Sequence, residues 1–495
     1  MERKLRVNTK TKVERSLELI DEKLEPMSPT SECLTSEVVT LYVLAFLELA
    51  IPVDFQSVLT FLKNDFINIH PRFSSIVIEN MKGKKMWKQV QVNVEDHLKV
   101  PTFPKNLSSE SYSKHFDDYI TKIATSQLPQ HKPLWELHII NYPKDNNVAS
   151  TFIFKIHHAI ADGTSLMGGV LSCFKRVDDP SLPLTFPSKT RRLSNSREKR
   201  NISQSLSKIF KIVPNFMSSI IYSLYDFGQS LKLIVDEDDQ TPIRSGVTDM
   251  TLPCSTRVCS VTLHLNEVKR IKTLLGVTVN DIIVGIIFLA TRLYIQDITD
   301  DEQQKINKRS TASIFVNIRR VKGNLSLEEM RKGNTWGNRI SNIEIPLPNL
   351  EDDYLSNPLE FIMRAHKIIK RKRSGTLGLF LMDGLFQAIR TVGGIQAAAR
   401  TLGRRWKNCS FAITNMIGPS EQVSLANHPI KGFYFVPTGI NLSVTVSVLS
   451  YMDDLRIGLA LENGFIDHQK LMTCVENSFQ MIFQASMAMS EFSVE

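Results

Sequence analysis

Residues Lys155 to Gly163 read KIHHAIADG: two adjacent histidines, three small or apolar residues, an acid and a glycine. Just before them Thr151 to Lys155 read TFIFK, β-branched and aromatic residues that predict a buried strand ending at the histidines. Beyond Asp162-Gly163, the apolar residues Leu166, Val170, Leu171 and Phe174 fall at helical spacing and predict a helix with one buried face. The unit is strand, tight turn, helix. Neighbouring side chains on a strand point to opposite faces, so His157 and His158 cannot both enter one cleft. One is expected to face inward and the other to brace. The plain alternative is a structural histidine pair at a strand end. A His-x-x-x-Asp pair can also chelate a metal, but no third ligand cluster lies nearby in sequence and no metal is expected.

Working outward, 495 residues of which 42% are hydrophobic supply a large core and suggest two or more domains. The six cysteines lack C-x-x-C spacing, which fits reduced thiols in the cytosolic compartment. The first eighteen residues, MERKLRVNTKTKVERSLE, are charged throughout, so no secretory signal is expected and the protein is expected to start in the cytosol. Net charge is +9, and most of the excess sits between Lys189 and Lys211, where eight basic residues meet one acid, Glu198. That serine-rich segment reads as an exposed interdomain linker. After it, Leu206, Ile209, Val213, Phe216, Ile220, Leu224, Phe227 and Leu231 predict an amphipathic helix, with a kink expected at Pro214. Such a helix behind a basic stretch can lie on an anionic membrane or dock on its own protein as a crossover. Nucleic acid is not an expected partner, because no binding motif accompanies the charge.

The stretch from Gly432 to Met452 is free of charge and nominally long enough to span a bilayer. Its period is two: Ile440, Leu442, Val444, Val446 and Val448 alternate with Asn441, Ser443, Thr445 and Ser447. This predicts a strand whose polar face meets water or lines an internal channel. Upstream, Thr278 with Asp281 three residues on resembles a capping box opening an apolar helix. Further strands are predicted at STASIFVNIRR, NRISNIEIPLP and NCSFAITNM, and a last helix from about Gln469 to Ala485. Strands and helices mix in both halves, an α+β pattern without short repeats.

HHAIADG matches the HHxxxDG motif of acyl-CoA-dependent acyltransferases. Taken with PMSPTSE (Pro26 to Glu32), PLWELHII (Pro133 to Ile140), VNDII (Val279 to Ile283), FVNIRR (Phe315 to Arg320), TNMIGP (Thr414 to Pro419) and SVTVSVLSY (Ser443 to Tyr451), the chain resembles the wax ester synthase/diacylglycerol acyltransferase family, in its plant branch. The resemblance implies two chloramphenicol-acetyltransferase-like lobes of mixed sheets flanked by helices, with an active-site tunnel between them. The expected divisions are a tail over 1–25, a first lobe over 26–178, a basic linker and crossover helix over 179–245, and a second lobe over 246–495.

The same resemblance makes His158 the general base that takes a proton from an alcohol attacking acyl-CoA, with no acyl-enzyme and no cofactor, acyl-CoA being a substrate. It turns Asp162 away from the reaction toward an arginine, for which Arg319 is the candidate. Gly163 would permit the tight turn, and His157 would support. Asn280, beside Asp281, would bind substrate or stabilise the oxyanion, although helix capping explains the pair equally well. Thr445 or Ser447 could offer a hydroxyl to the intermediate. The implied partners are acyl-CoA, a long-chain alcohol or diacylglycerol, and the cytosolic face of the endoplasmic reticulum membrane, with the plasma membrane as a second location. A lipid-binding homologue without activity, a condensation-type amide synthase and an acyltransferase for another small alcohol or amine are the other readings.

Overall fold

A computed structural model describes residues 24–104, 107–142, 148–186, 202–246, 255–299, 308–319, 336–348, 357–374 and 377–492. The basic stretch around Arg191, Arg192, Lys199 and Arg200 lies outside these, as does Arg320.

A seven-stranded sheet carries the histidines. Its order is β5 (Leu98–Lys99), β6 (Trp135–Ile140), β7 (Ser150–His157), β2 (Tyr42–Leu49), β14 (His428–Thr438), β13 (Val423–Leu425) and β8 (Lys175–Arg176). A six-stranded sheet runs β11 (Ile340–Pro346), β10 (Thr311–Asn317), β12 (Phe411–Ile417), β15 (Val444–Tyr451), β16 (Asp454–Glu462) and β9 (Thr256–His264). A small sheet of β1 (Leu24–Pro26), β4 (Lys85–Gln89) and β3 (Ser75–Glu79) flanks the first. Parallel and antiparallel pairs coexist in the six-stranded sheet: β12 is parallel to β10 and β15, while β15 to β16 is antiparallel. The fold is therefore α+β with two large sheets, one per lobe, and a small third sheet beside the first. One division differs from the expected boundaries. β13 and β14, from the second half of the sequence, complete the first sheet, β14 pairing with β2 from Thr438↔Tyr42 to Ile430↔Leu49.

The helices are α1 (Pro29–Leu34), α2 (Phe55–Phe61), α3 (Ser109–Thr125), α4 (Gly163–Leu171), α5 (Ile202–Val235), α6 (Leu265–Leu275), α7 (Val279–Ile298), α8 (Leu359–Ser374), α9 (Leu377–Lys407) and α10 (His468–Phe492). Thr278 caps α7, its hydroxyl accepting from the Asp281 N–H while the Asp281 carboxylate accepts from the Thr278 N–H, the reciprocal arrangement the sequence predicts. α7 is buried nearly all round and packs on α8 and α10, so its apolar run is core. No single described helix is long and apolar enough to cross a membrane; α6 and α7 would pass together by composition but meet at 103°. α5 runs unbroken through Pro214 and lies along α9, a crossover helix docked on the second lobe.

The lobes meet through side chains. Leu44, Phe46, Ile153, Tyr434 and Val436 of the first sheet share an apolar cluster with Val258 and Ala460 of the second. Beside it the Arg456 guanidinium donates to the Glu48 carboxylate at 2.6 Å, an ion pair across the seam with both side chains largely shielded.

Candidate active site

β7 is buried at every position and delivers His157 and His158 to the seam. Alternation puts Lys155 and His157 on one face and Ile156 and His158 on the other. The His158 N–H donates to Leu41 O at 2.8 Å, which ties the residue to the neighbouring strand as β7 ends. His157 sits edge-on to the Tyr42 ring with centroids 5.0 Å apart, and its Nδ1 accepts from the Ala159 N–H at 3.0 Å. Burial, and then the adjacent His158, push its pKa down to about 3, so it is neutral throughout the physiological range. The neutral imidazole packs against Tyr42 on the strand face opposite that of His158.

Asp162 caps α4 by accepting from the Ser165 N–H at 3.0 Å, and its carboxylate is wholly buried. Arg319, just past the end of β10, meets it with both terminal nitrogens, Nη1 to Oδ2 at 2.7 Å and Nη2 to Oδ1 at 2.9 Å. The Arg339 N–H adds a fourth bond to the carboxylate, donating to Oδ2 at 2.8 Å. The acid thus spends its oxygens on a helix start, an arginine and a backbone amide, and a fork-to-carboxylate pair of this kind is held in one geometry. The structure brings Asp162 and Arg319 together as the sequence reading expects.

His158 is nearly buried, and burial lowers its pKa; the negative charge of Asp162 and a hydrogen bond to Asn338 act in the opposite direction. Asn338 Oδ1 lies 3.0 Å from His158 Nδ1. Its Nδ2 donates to His158 O at 2.9 Å and to Ser31 Oγ at 2.9 Å. The Trp336 indole and the Arg72 guanidinium both donate to Ile160 O, and the Asp162 N–H points at Gly337 O. Residues 336–339 therefore grip the whole turn. Sequence reasoning takes Asn338 and Arg339 as the start of the predicted strand NRISNIEIPLP and gives neither a role at the site; the strand itself begins at Ile340.

Other candidates fall elsewhere or act differently. Gly163 has no left-handed backbone; a Cβ there would come within 2.9 Å of Met416 Sδ on β12, so close packing rather than turn geometry explains it. The Asp281 carboxylate is engaged by the α7 cap and by His366 Nδ1 at 2.8 Å, and Asn280 is the half-exposed second residue of that helix. Among the described residues no hydrogen bond joins either to the His158 turn. Thr445 and Ser447 are buried on the face of β15 opposite Val446 and Val448, so this polar face does not meet water. The single Ser447 hydroxyl proton is directed at Phe435 O across the seam or at Gly458 O on the neighbouring strand, which corrects its candidacy as a donor to an intermediate.

Two cavities lie near the residues that hold the turn: Thr30, beside Ser31, lines one, and Tyr42, edge-on to His157, lines the other. One, about 750 Å³ counted with its mouth, is lined largely by Phe315, Ile340, Leu379, Phe386, Leu402 and Trp406, and also by Thr30, next to the Ser31 that holds Asn338. The other, about 620 Å³, lies beside Thr40, Tyr42, Gln127, Lys407 and Asn441. Trp406 borders both. Among the described residues no cluster of three or more potential metal ligands occurs.

Residues 68–283 match the wax ester synthase/diacylglycerol acyltransferase catalytic domain, and residues 336–483 match the WS/DGAT C-terminal domain. The first match contains the histidines, and the second begins at the segment that grips them. Wax ester synthase/diacylglycerol acyltransferase 4 of Arabidopsis thaliana is 30% identical over 85% of this chain and 82% of its own length. Wax ester synthase/diacylglycerol acyltransferase 6 of the same plant is 29% identical over 97% and 98%. In three dimensions the chain is similar to the wax ester synthase/diacylglycerol acyltransferase from Marinobacter aquaeolei VT8, with a TM-score of 0.59 at 14% identity over 93% of this chain and 99% of that one. The first condensation domain of the calcium-dependent antibiotic synthetase shares the fold at a TM-score of 0.54 and 12% identity, over 94% and 96%. With both halves matched by models of one family, and relatives aligned along most of its length, the chain belongs to the wax ester synthase/diacylglycerol acyltransferase family.

Proposed function

We propose that the protein is an acyl-CoA-dependent O-acyltransferase that moves a long-chain acyl group onto the hydroxyl of a fatty alcohol, with diacylglycerol as the other acceptor. The observation that carries this is the placement of a buried imidazole, His158, at the seam of two lobes, tied through Asn338 to Ser31, whose neighbour Thr30 lines a largely apolar cavity. Apolar walls with a few polar groups are the usual lining of a small-molecule site. His158 takes the hydroxyl proton as the alcohol oxygen attacks the thioester carbon. The tetrahedral intermediate collapses by breaking the C–S bond, and the proton on His158 passes to the leaving thiolate, giving ester and free CoA. Asp162, held by Arg319, fixes the turn and takes no proton.

The protein works at the cytosolic face of the endoplasmic reticulum, as a peripheral membrane protein, or in the same manner at the plasma membrane. Ile221, Leu224 and Tyr225 on α5 are each more than half exposed, as is Phe380 on α9. Gly378 on α9 lies against Ser223 on α5, which brings these side chains to one end of the helix pair, beside the residues lining the apolar cavity. An apolar surface there offers an entry for acceptors that water does not dissolve.

The test is to incubate purified protein with radiolabelled palmitoyl-CoA and either hexadecanol or a diacylglycerol, and to separate the products. Labelled wax ester is expected, and triacylglycerol with the second acceptor. CoA release with no labelled ester from either would overturn the proposal.

A further inference from the structure

We infer that Asn338 is a positioning residue that fixes the proton of His158 on Nδ1 and so leaves Nε2 as the basic nitrogen. The inference rests on the acyltransferase reading of His158 and adds a residue from the other half of the chain. The orientation of the amide is decided by its neighbours. His158 O can only accept, so the group 2.9 Å from it is the amide nitrogen, and Asn338 Nδ2 donates there. The second proton of Nδ2 goes to Ser31 Oγ at 2.9 Å. Ser31 Oγ in turn accepts from Ser28 Oγ at 2.8 Å, which matches its role as acceptor toward the amide. With both protons committed, the atom facing His158 Nδ1 at 3.0 Å is the carbonyl oxygen Oδ1, which can only accept. Nδ1 must therefore carry hydrogen, and a neutral imidazole then presents its lone pair at Nε2. Among the described residues nothing is hydrogen-bonded to Nε2.

The usual orienting group for a catalytic histidine is a carboxylate, which both selects the tautomer and stabilises the imidazolium. Here the nearby carboxylate, Asp162, is engaged by Arg319, Ser165 and Arg339, and a neutral amide takes the place at Nδ1. A neutral acceptor selects the tautomer and adds no full charge of its own at Nδ1. It suits a base that must release its proton to a thiolate in the same catalytic cycle.

Two variants and two readouts test this. Asn338→Leu removes the acceptor, and kcat should fall about 10- to 100-fold, the usual effect of losing the partner that orients a functional histidine, with KM for both substrates changed less than about twofold. Asn338→Asp keeps an acceptor at Nδ1 and adds charge, so the acid limb of the kcat–pH profile should move up by about one unit while the plateau at higher pH stays above that of the leucine variant. Nitrogen NMR of histidine-labelled protein without substrate should show His158 protonated at Nδ1 in the wild type and a mixture of tautomers in Asn338→Leu. A wild type protonated at Nε2 overturns the inference, as does an acid limb that stays in place in Asn338→Asp while both variants lose only melting temperature. A wild type that makes no ester but shows the Nδ1 tautomer overturns the acyltransferase reading and leaves the role of Asn338 in place.

Discussion

His158 and the groups behind it should separate cleanly in mutants. Removing a general base typically costs about 10² to 10⁴ in rate, so His158→Ala should lose at least a hundredfold in ester formation with its circular dichroism and melting curve preserved. Burial lowers the His158 pKa, so the acid limb of kcat/KM in the wild type should fall below the ordinary histidine value of about 6.5. His157 should act on stability instead. Its pKa falls from about 6.5 unfolded to about 3 folded, so between those values the unfolded chain binds the extra proton. The stability it contributes is complete above about pH 6.5 and drains away toward pH 3. His70, lowered to about 4 by burial, adds with the same sign. Melting temperature should accordingly rise with pH across that window, and His157→Gln should flatten the slope; an unchanged slope would show that other groups dominate. The buried Asp162–Arg319 pair gives a third expectation. Stranding one partner of such a pair costs roughly 3 to 5 kcal/mol, so Asp162→Asn and Arg319→Met should each lower the melting temperature, and the double variant should lose less than the two combined. These residues were legible from the motif and its resemblance. Asn338 was not, because its bond to His158 joins positions 180 apart and no local pattern marks a residue whose work is done on a distant strand.

Among the elements, the strand–turn–helix unit and the capped α7 appear where the sequence predicts them, since each is set by local periodicity or a local cap; the two-residue alternation expected from Ile440 forms a strand, β15, only from Val444. What each element faces was harder to read. The polar side of β15 was open between water and a channel, and it packs instead against β14, with Ser447 bonded to backbone across the seam. α5 was read as kinked at Pro214; it stays one helix, and its packing along α9 supplies contacts that the isolated pattern does not contain. The same helix is open on both of the readings given for it, docked on the second lobe while Ile221, Leu224 and Tyr225 remain exposed. Replacing these three by serine should abolish flotation with anionic liposomes at low salt and leave turnover of a short, soluble alcohol unchanged. Flotation equal to wild type would place membrane contact elsewhere.

At the scale of the whole molecule, the two lobes are tied by a shared sheet as well as by contact. β14 is hydrogen-bonded along nearly its full length to β2, and the Glu48–Arg456 pair and the apolar cluster around Phe46 close the same seam. A calorimetric scan should therefore show one cooperative transition, and residues 1–245 expressed alone should not reach a native sheet, because β2 would present an unpaired, buried-type edge to solvent. The lobe count was legible from length and motif distribution. The strand exchange was not, because the continuous apolar run Phe433 to Val436 of β14 fits a buried strand in either sheet.

The crossing also imposes an order on synthesis. Glu48 and Arg456 are 408 residues apart, and at about 5 to 20 residues per second roughly 20 to 80 seconds separate the emergence of β2 from that of the segment that closes over it. During that interval the histidine-bearing strand can pair with β2, but the far edge of β2 has no partner from its own chain. The nascent protein thus passes through a stage with an apolar sheet edge on display, and its yield in cells should depend on chaperones that cover such edges more than its final stability would suggest.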